Sequence, residues 1–216
     1  SGVRAWSITG PYGTGKSSFA LFLARLLARD DLAHTAAKKV VSATDLTRPM
    51  LPLLLVRQRR ALKPTLMDAL RKLERELPDG LSKIVRADSL GADPSDEEVA
   101  AAYERAAQAS EHAGYGGLAV FVDEFGKFLE HVAANPADGD IQVVQFMAEA
   151  ATRSSSPFLF TTILHSSFSS YVRNESDLRQ AEWQKVQGRF VDLAFQEPFE
   201  QLLRLVGNAI RTEFPP

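Results

Sequence analysis

Cysteine is missing from all 216 residues, which excludes disulfides, thiolate zinc sites and cysteine nucleophiles together. The four histidines, His34, His112, His131 and His165, show no ligand spacing, so no structural metal is expected. No apolar run approaches the roughly 20 residues needed to cross a bilayer; the longest, interrupted by Pro52, covers 51–56. No signal-peptide pattern opens the chain, so the expectation is a soluble, cytoplasmic protein with no membrane partner. Charge of either sign is not in excess: 25 Lys and Arg against 27 Asp and Glu leave a net charge of -2, so the overall field gives a polyanion no reason to bind and only a local basic patch would serve DNA. Repeats and low-complexity tracts are also absent.

What is present is enough for one sizeable core, since 45% of the residues are hydrophobic, and a single domain is expected. The chain starts at Ser1, almost directly on a strand-like run, and ends just after a helical pattern; it is read as a module of something longer. Strand patterns with β-branched or aromatic residues fall at 3–9, at "PLLLVRQRR", at "LAVFVDEF", at "PFLFTTIL" and at "FVDLAF". Helical patterns lie between them. The helix over 16–28 carries apolar residues on more than one face and is expected to be well buried. Pro64 suits the first turn of a helix running to Leu77, and Ser95 followed by Glu98 reads as a capping box that starts the next helix. Further helices are expected over 125–133, 141–152 and 175–187, and in the closing "PFEQLLRLVGNAI". Residues 30–50 are ambiguous, and 78–95 read as loops around a short element. Alternating strands and helices define an α/β fold with a mainly parallel sheet. The run "LAVFV" is apolar at every position, which marks a central strand covered on both faces.

Gly10, Pro11, Tyr12, Gly13, Thr14, Gly15, Lys16 and Ser17 fit G-x-x-x-x-G-K-[ST] at every fixed position. In that pattern the glycines let successive amides turn inward, the following helix adds its positive end, and the lysine reaches the outer phosphates of a nucleotide. Ser17 is the candidate Mg²⁺ ligand, and Ser18 completes the cofactor-binding stretch. The plain alternative is a glycine-rich turn that starts an ordinary helix. Asp123, at the end of five apolar residues, supplies the acid that holds the metal, usually through water. Glu124 beside it is placed to orient and polarise a water for attack on the γ-phosphate. Alternatively, these acids only end a strand and favour the N-terminus of the helix at Phe125. Nothing matches the guanine-reading N-K-x-D or the L-S-G-G-Q segment of ABC ATPases, so ATP, with Mg²⁺, is the expected nucleotide.

These residues resemble the AAA+ and related ATPases of the additional-strand class of P-loop proteins. The resemblance implies a three-layer core with strand order 5-1-4-3-2, in which a strand sits between the loop-bearing and acid-bearing strands and ends in a polar residue that senses the γ-phosphate. His165 takes that position here, where the family more often has asparagine; a buried histidine with a structural hydrogen bond is the alternative. Arg189 matches the family's arginine ahead of the fifth strand, which in an assembly of copies reaches a neighbour's nucleotide and is worth about 10³ to 10⁵ in rate where it operates; otherwise it caps its own helix. The stretch 33–110 exceeds what such a core needs and implies an insertion around the second strand, and the helical lid that the family carries after the fifth strand is expected to lie beyond these residues. Within the class, "FVDEFGKFLEH" and "ILHSSFSSY" look most like ATPase modules of large bacterial phage-defence or DNA-processing proteins. ATP hydrolysis driving conformational change or assembly of a larger protein is the leading expectation, with a nucleotide-gated scaffold of little turnover, or a small-molecule kinase, as alternatives. Arg57, Arg59 and Arg60 form a short basic cluster, either a phosphate contact for DNA or a solvated strand end. Tyr12 packs on the nucleotide or shields the loop. Trp6 and Trp183 are expected in the core or an interface.

Overall fold

The computed structural model describes residues 4–38, 48–56, 61–77, 81–135, 141–172 and 176–195. Five strands, β1 (Ala5–Thr9), β2 (Leu51–Leu55), β3 (Leu118–Val122), β4 (Phe158–Leu164) and β5 (Val191–Ala194), form one sheet. Every pairing in it is parallel, and the order is β2-β3-β4-β1-β5. This is the expected order read from the other edge. β4 lies between β1 and β3, with Thr9 level with Leu164 and Val122 level with Thr162.

Helices cover both faces, because alternate residues of the central strands point opposite ways. Leu118, Val120 and Val122 enter one core with Phe158 and Phe160, while Ala119 and Phe121 enter a second with Ile8 and Ile163. All five residues of β3 are buried, as its uninterrupted apolar run requires. The larger core is closed by α3 (Leu62–Glu76), α5 (Asp96–His112), α6 (Phe125–Ala134), α7 (Gln142–Arg153) and α8 (Asp177–Gln187). Trp183 is buried there. The smaller core is closed by α1 (Lys16–Leu27), on which α2 (Asp31–Lys38) packs. The long segment between β2 and β3 folds into α3, the short α4 (Ser82–Val85) and α5, all on the larger-core side.

The expected boundaries hold to within a few residues, with three corrections. α1 is not well buried: Lys16, Ala20 and Ala24 are its only buried residues, and Leu21 is half exposed. One helix lying on a sheet needs a single apolar stripe, so the additional leucines face outward. The ambiguous stretch yields α2, and a short 3-10 helix, Phe168–Val172, follows β4. The cluster Arg57, Arg59 and Arg60 and the closing helical pattern lie outside the described residues.

Candidate functional site

At the carboxyl ends of parallel strands the chain turns into helices, and in open α/β sheets this edge is where ligands bind. The loop after β1 and the acids after β3 meet at this edge. Gly13 and Gly15 have φ of 78° and 84°, a region that a side chain would strain. Gly15 is the N-cap of α1 and gives it no side-chain hydrogen bond; the first turn also carries no acid. α5 has the opposite arrangement, with Ser95 and Glu98 completing a reciprocal capping box and three acids in the first turn. The positive end of α1 is therefore left to an external acceptor, whereas that of α5 is answered within the chain.

Lys16 is only 4% exposed. Its Nζ donates to the Pro11 carbonyl and, at 3.4 Å, to the Thr14 hydroxyl. Burial lowers the pKa of this ammonium, and the Asp123 carboxylate works against that shift. A buried ammonium whose partners are neutral oxygens would gain from an anion in the loop.

The Ser17 hydroxyl donates to Asp123 Oδ1 at 3.1 Å. The same oxygen accepts the backbone N–H of Glu124 at 2.8 Å, which fixes the carboxylate toward α1. Mg²⁺ takes one or two protein ligands and completes its shell with water and phosphate oxygens, and a hydroxyl beside a carboxylate fits that demand. No cluster of three or more His, Cys, Asp or Glu suited to holding a metal occurs among the described residues.

Glu124 is the N-cap of α6, yet its side chain makes no capping bond and its backbone is left-handed at φ 50°, ψ 36°. Glu124 thus stands at the helix start, as the alternative reading has it, but gives the helix no side-chain hydrogen bond. A non-glycine residue held in this region costs about 1 to 3 kcal/mol, and here it sits directly after the acid that touches Ser17.

His165, at the end of β4, stacks on Tyr12, with ring centroids 3.5 Å apart and planes inclined at 23°. Neither of its ring nitrogens has a hydrogen-bond partner among the described residues. Burial and then Lys16 depress its pKa, against Glu124 and Asp123. The imidazole accordingly stays neutral near pH 7, with one donor and one acceptor uncommitted. Tyr12 is 70% exposed and covers His165 from the loop side.

Arg189 is not in this group. It precedes β5, whose Ala194 is level with Thr9, so it lies at the far end of the sheet from the loop after β1. Its guanidinium pairs with Glu149 of α7 at 3.0 Å, an attachment to another helix. Sequence reasoning overlooked Tyr171 of the 3-10 helix, which stands against Gly126. Its only signal is an aromatic residue closing the serine-rich "HSSFSSY". Compared with known proteins, the chain matches no family model and no curated relative.

Proposed function

We propose that the chain is a Mg²⁺-dependent ATPase of the AAA+-like, additional-strand class, whose hydrolysis drives conformational change or assembly of a larger protein. The observation that carries this reading is the Ser17–Asp123 contact, which joins the loop after β1 to the acid after β3 across 106 positions. The turned glycines, the uncapped start of α1 and the buried Lys16 supply what a triphosphate needs on one side of that contact. Ser17 and Asp123 would hold Mg²⁺, which would offset charge on the phosphate oxygens. Glu124 takes the proton of a water that attacks the γ-phosphorus as the bond to ADP breaks. His165 offers a neutral donor toward the same region. Because Arg189 faces away from its own loop, a phosphate it meets belongs to another copy, and assembly would then precede fast turnover. Bacterial antiviral defence or DNA processing is the setting to which the resemblance points.

Titration of the purified chain with labelled ATP tests the reading. Lys16→Ala should weaken binding by at least about tenfold; unchanged affinity overturns it. Glu124→Gln should keep the nucleotide and lose about 10² to 10⁴ in hydrolysis, and unchanged hydrolysis removes Glu124 from the chemistry.

A further inference from the structure

The 3-10 helix after β4 looks at first like a connector, but two of its side chains are committed to one place. In a 3-10 helix residues i and i+3 eclipse each other, so Phe168 and Tyr171 face the same way. The Phe168 ring packs on Phe125 with centroids 5.7 Å apart. Tyr171 stands over the next residue, Gly126: a β-carbon there would overlap the tyrosine hydroxyl and come within 2.7 Å of its Cζ. The first turn of α6, which begins immediately after Glu124, is therefore shaped to receive this phenol.

The same 3-10 helix follows directly on the turn after β4 that carries His165. Its Phe168 and Tyr171 thus tie that turn to the first turn of the helix that Glu124 starts. We propose that Tyr171 is a positioning residue that fixes His165 and Glu124 at one separation across the candidate site. It acts through the backbone of both and touches no reacting atom. Without the oxygen the ring no longer fills the space over Gly126, the 3-10 helix and the turn before it shift, and the His165 ring moves against Tyr12. Misplacement on the scale of an ångström is costly to a reaction while leaving the binding of substrate elsewhere intact. The kinetic part of this inference rests on the ATPase reading; the positional part does not.

Two variants of the full chain test it. Tyr171→Phe removes only the oxygen, and Gly126→Ala displaces the same ring while leaving the tyrosine in place. Each should lower kcat for ATP about tenfold with the ATP affinity within about twofold of the parent. In the nucleotide-free chain, NMR of the His165 ring protons, which sense the Tyr12 ring current, should shift in both variants. Unmoved His165 signals in Tyr171→Phe overturn the proposal whatever the ATPase rate does, and so does a kcat within about twofold of the parent. Should the parent fail to hydrolyse ATP while the His165 signals still move, the ATPase reading falls and Tyr171 keeps its positioning role.

Discussion

Among individual residues, Asp123 is the most heavily used, since one of its oxygens receives both the Ser17 hydroxyl and the Glu124 amide. Ser17→Ala leaves the amide bond intact and removes only the hydroxyl. ATP affinity measured with Mg²⁺ should then fall about tenfold, while affinity measured in excess chelator stays unchanged. His165 gives a second expectation, in pH. Its pKa in the folded chain is held below the ordinary 6.5 by burial and Lys16, with Lys127 adding to this and Glu124 and Asp123 opposing it. A lowered pKa means that the unfolded chain takes up the proton first as pH falls, so stability is full above about 6.5 and declines below it. Between about pH 7.5 and pH 5.5 the loss of Tm should be smaller in His165→Gln than in the parent. The meeting of the loop with Asp123 was legible because the G-x-x-x-x-G-K-[ST] pattern after a strand, and an acid closing an apolar strand, place both at the same end of a parallel sheet. The Tyr12–His165 stack and Tyr171 were not, because an aromatic side chain satisfies many environments and only three-dimensional placement selects one.

At the level of elements, capping and periodicity carried the reading. Ser95 and Glu98 announce the start of α5 through paired side chains that satisfy orphan N–H groups, and both halves of the box are formed. Ser95→Ala should cost about 1 kcal/mol in urea unfolding, with the midpoint moving and the slope unchanged. "LAVFV" disclosed a central strand because covering both faces leaves no polar position. β5 was recognised by type, but all four of its residues are exposed, and strand propensity does not encode which edge a strand occupies. α1 misled for the related reason that its leucines exceed what the single stripe against Phe121 and Ile163 can cover. α2 and the 3-10 helix went unread because neither has the length or the breakers that make periodicity decisive.

For the molecule as a whole, parallel topology puts the candidate site at one end of the sheet and Arg189 at the other. A rate that depends on the arginine must therefore rise with protein concentration. Arg189→Ala should abolish that concentration dependence and leave ATP binding by the dilute chain unchanged; a first-order, concentration-independent ATPase in the parent removes the arginine from the mechanism. Its ion pair with Glu149 is half exposed, so as a contribution to folding it is small, about 0 to 1 kcal/mol. The order of the sheet has one further outcome, for synthesis on the ribosome. β4 separates the two strands that bear the loop and the acids, yet it is translated after both. A nascent chain that has emerged only as far as α7 already carries Ser17 and Asp123 but lacks the strand that spaces them. On the ATPase reading proposed above, nucleotide capture would wait until residue 164 has left the exit tunnel, because the two halves of the candidate site take their spacing from β4.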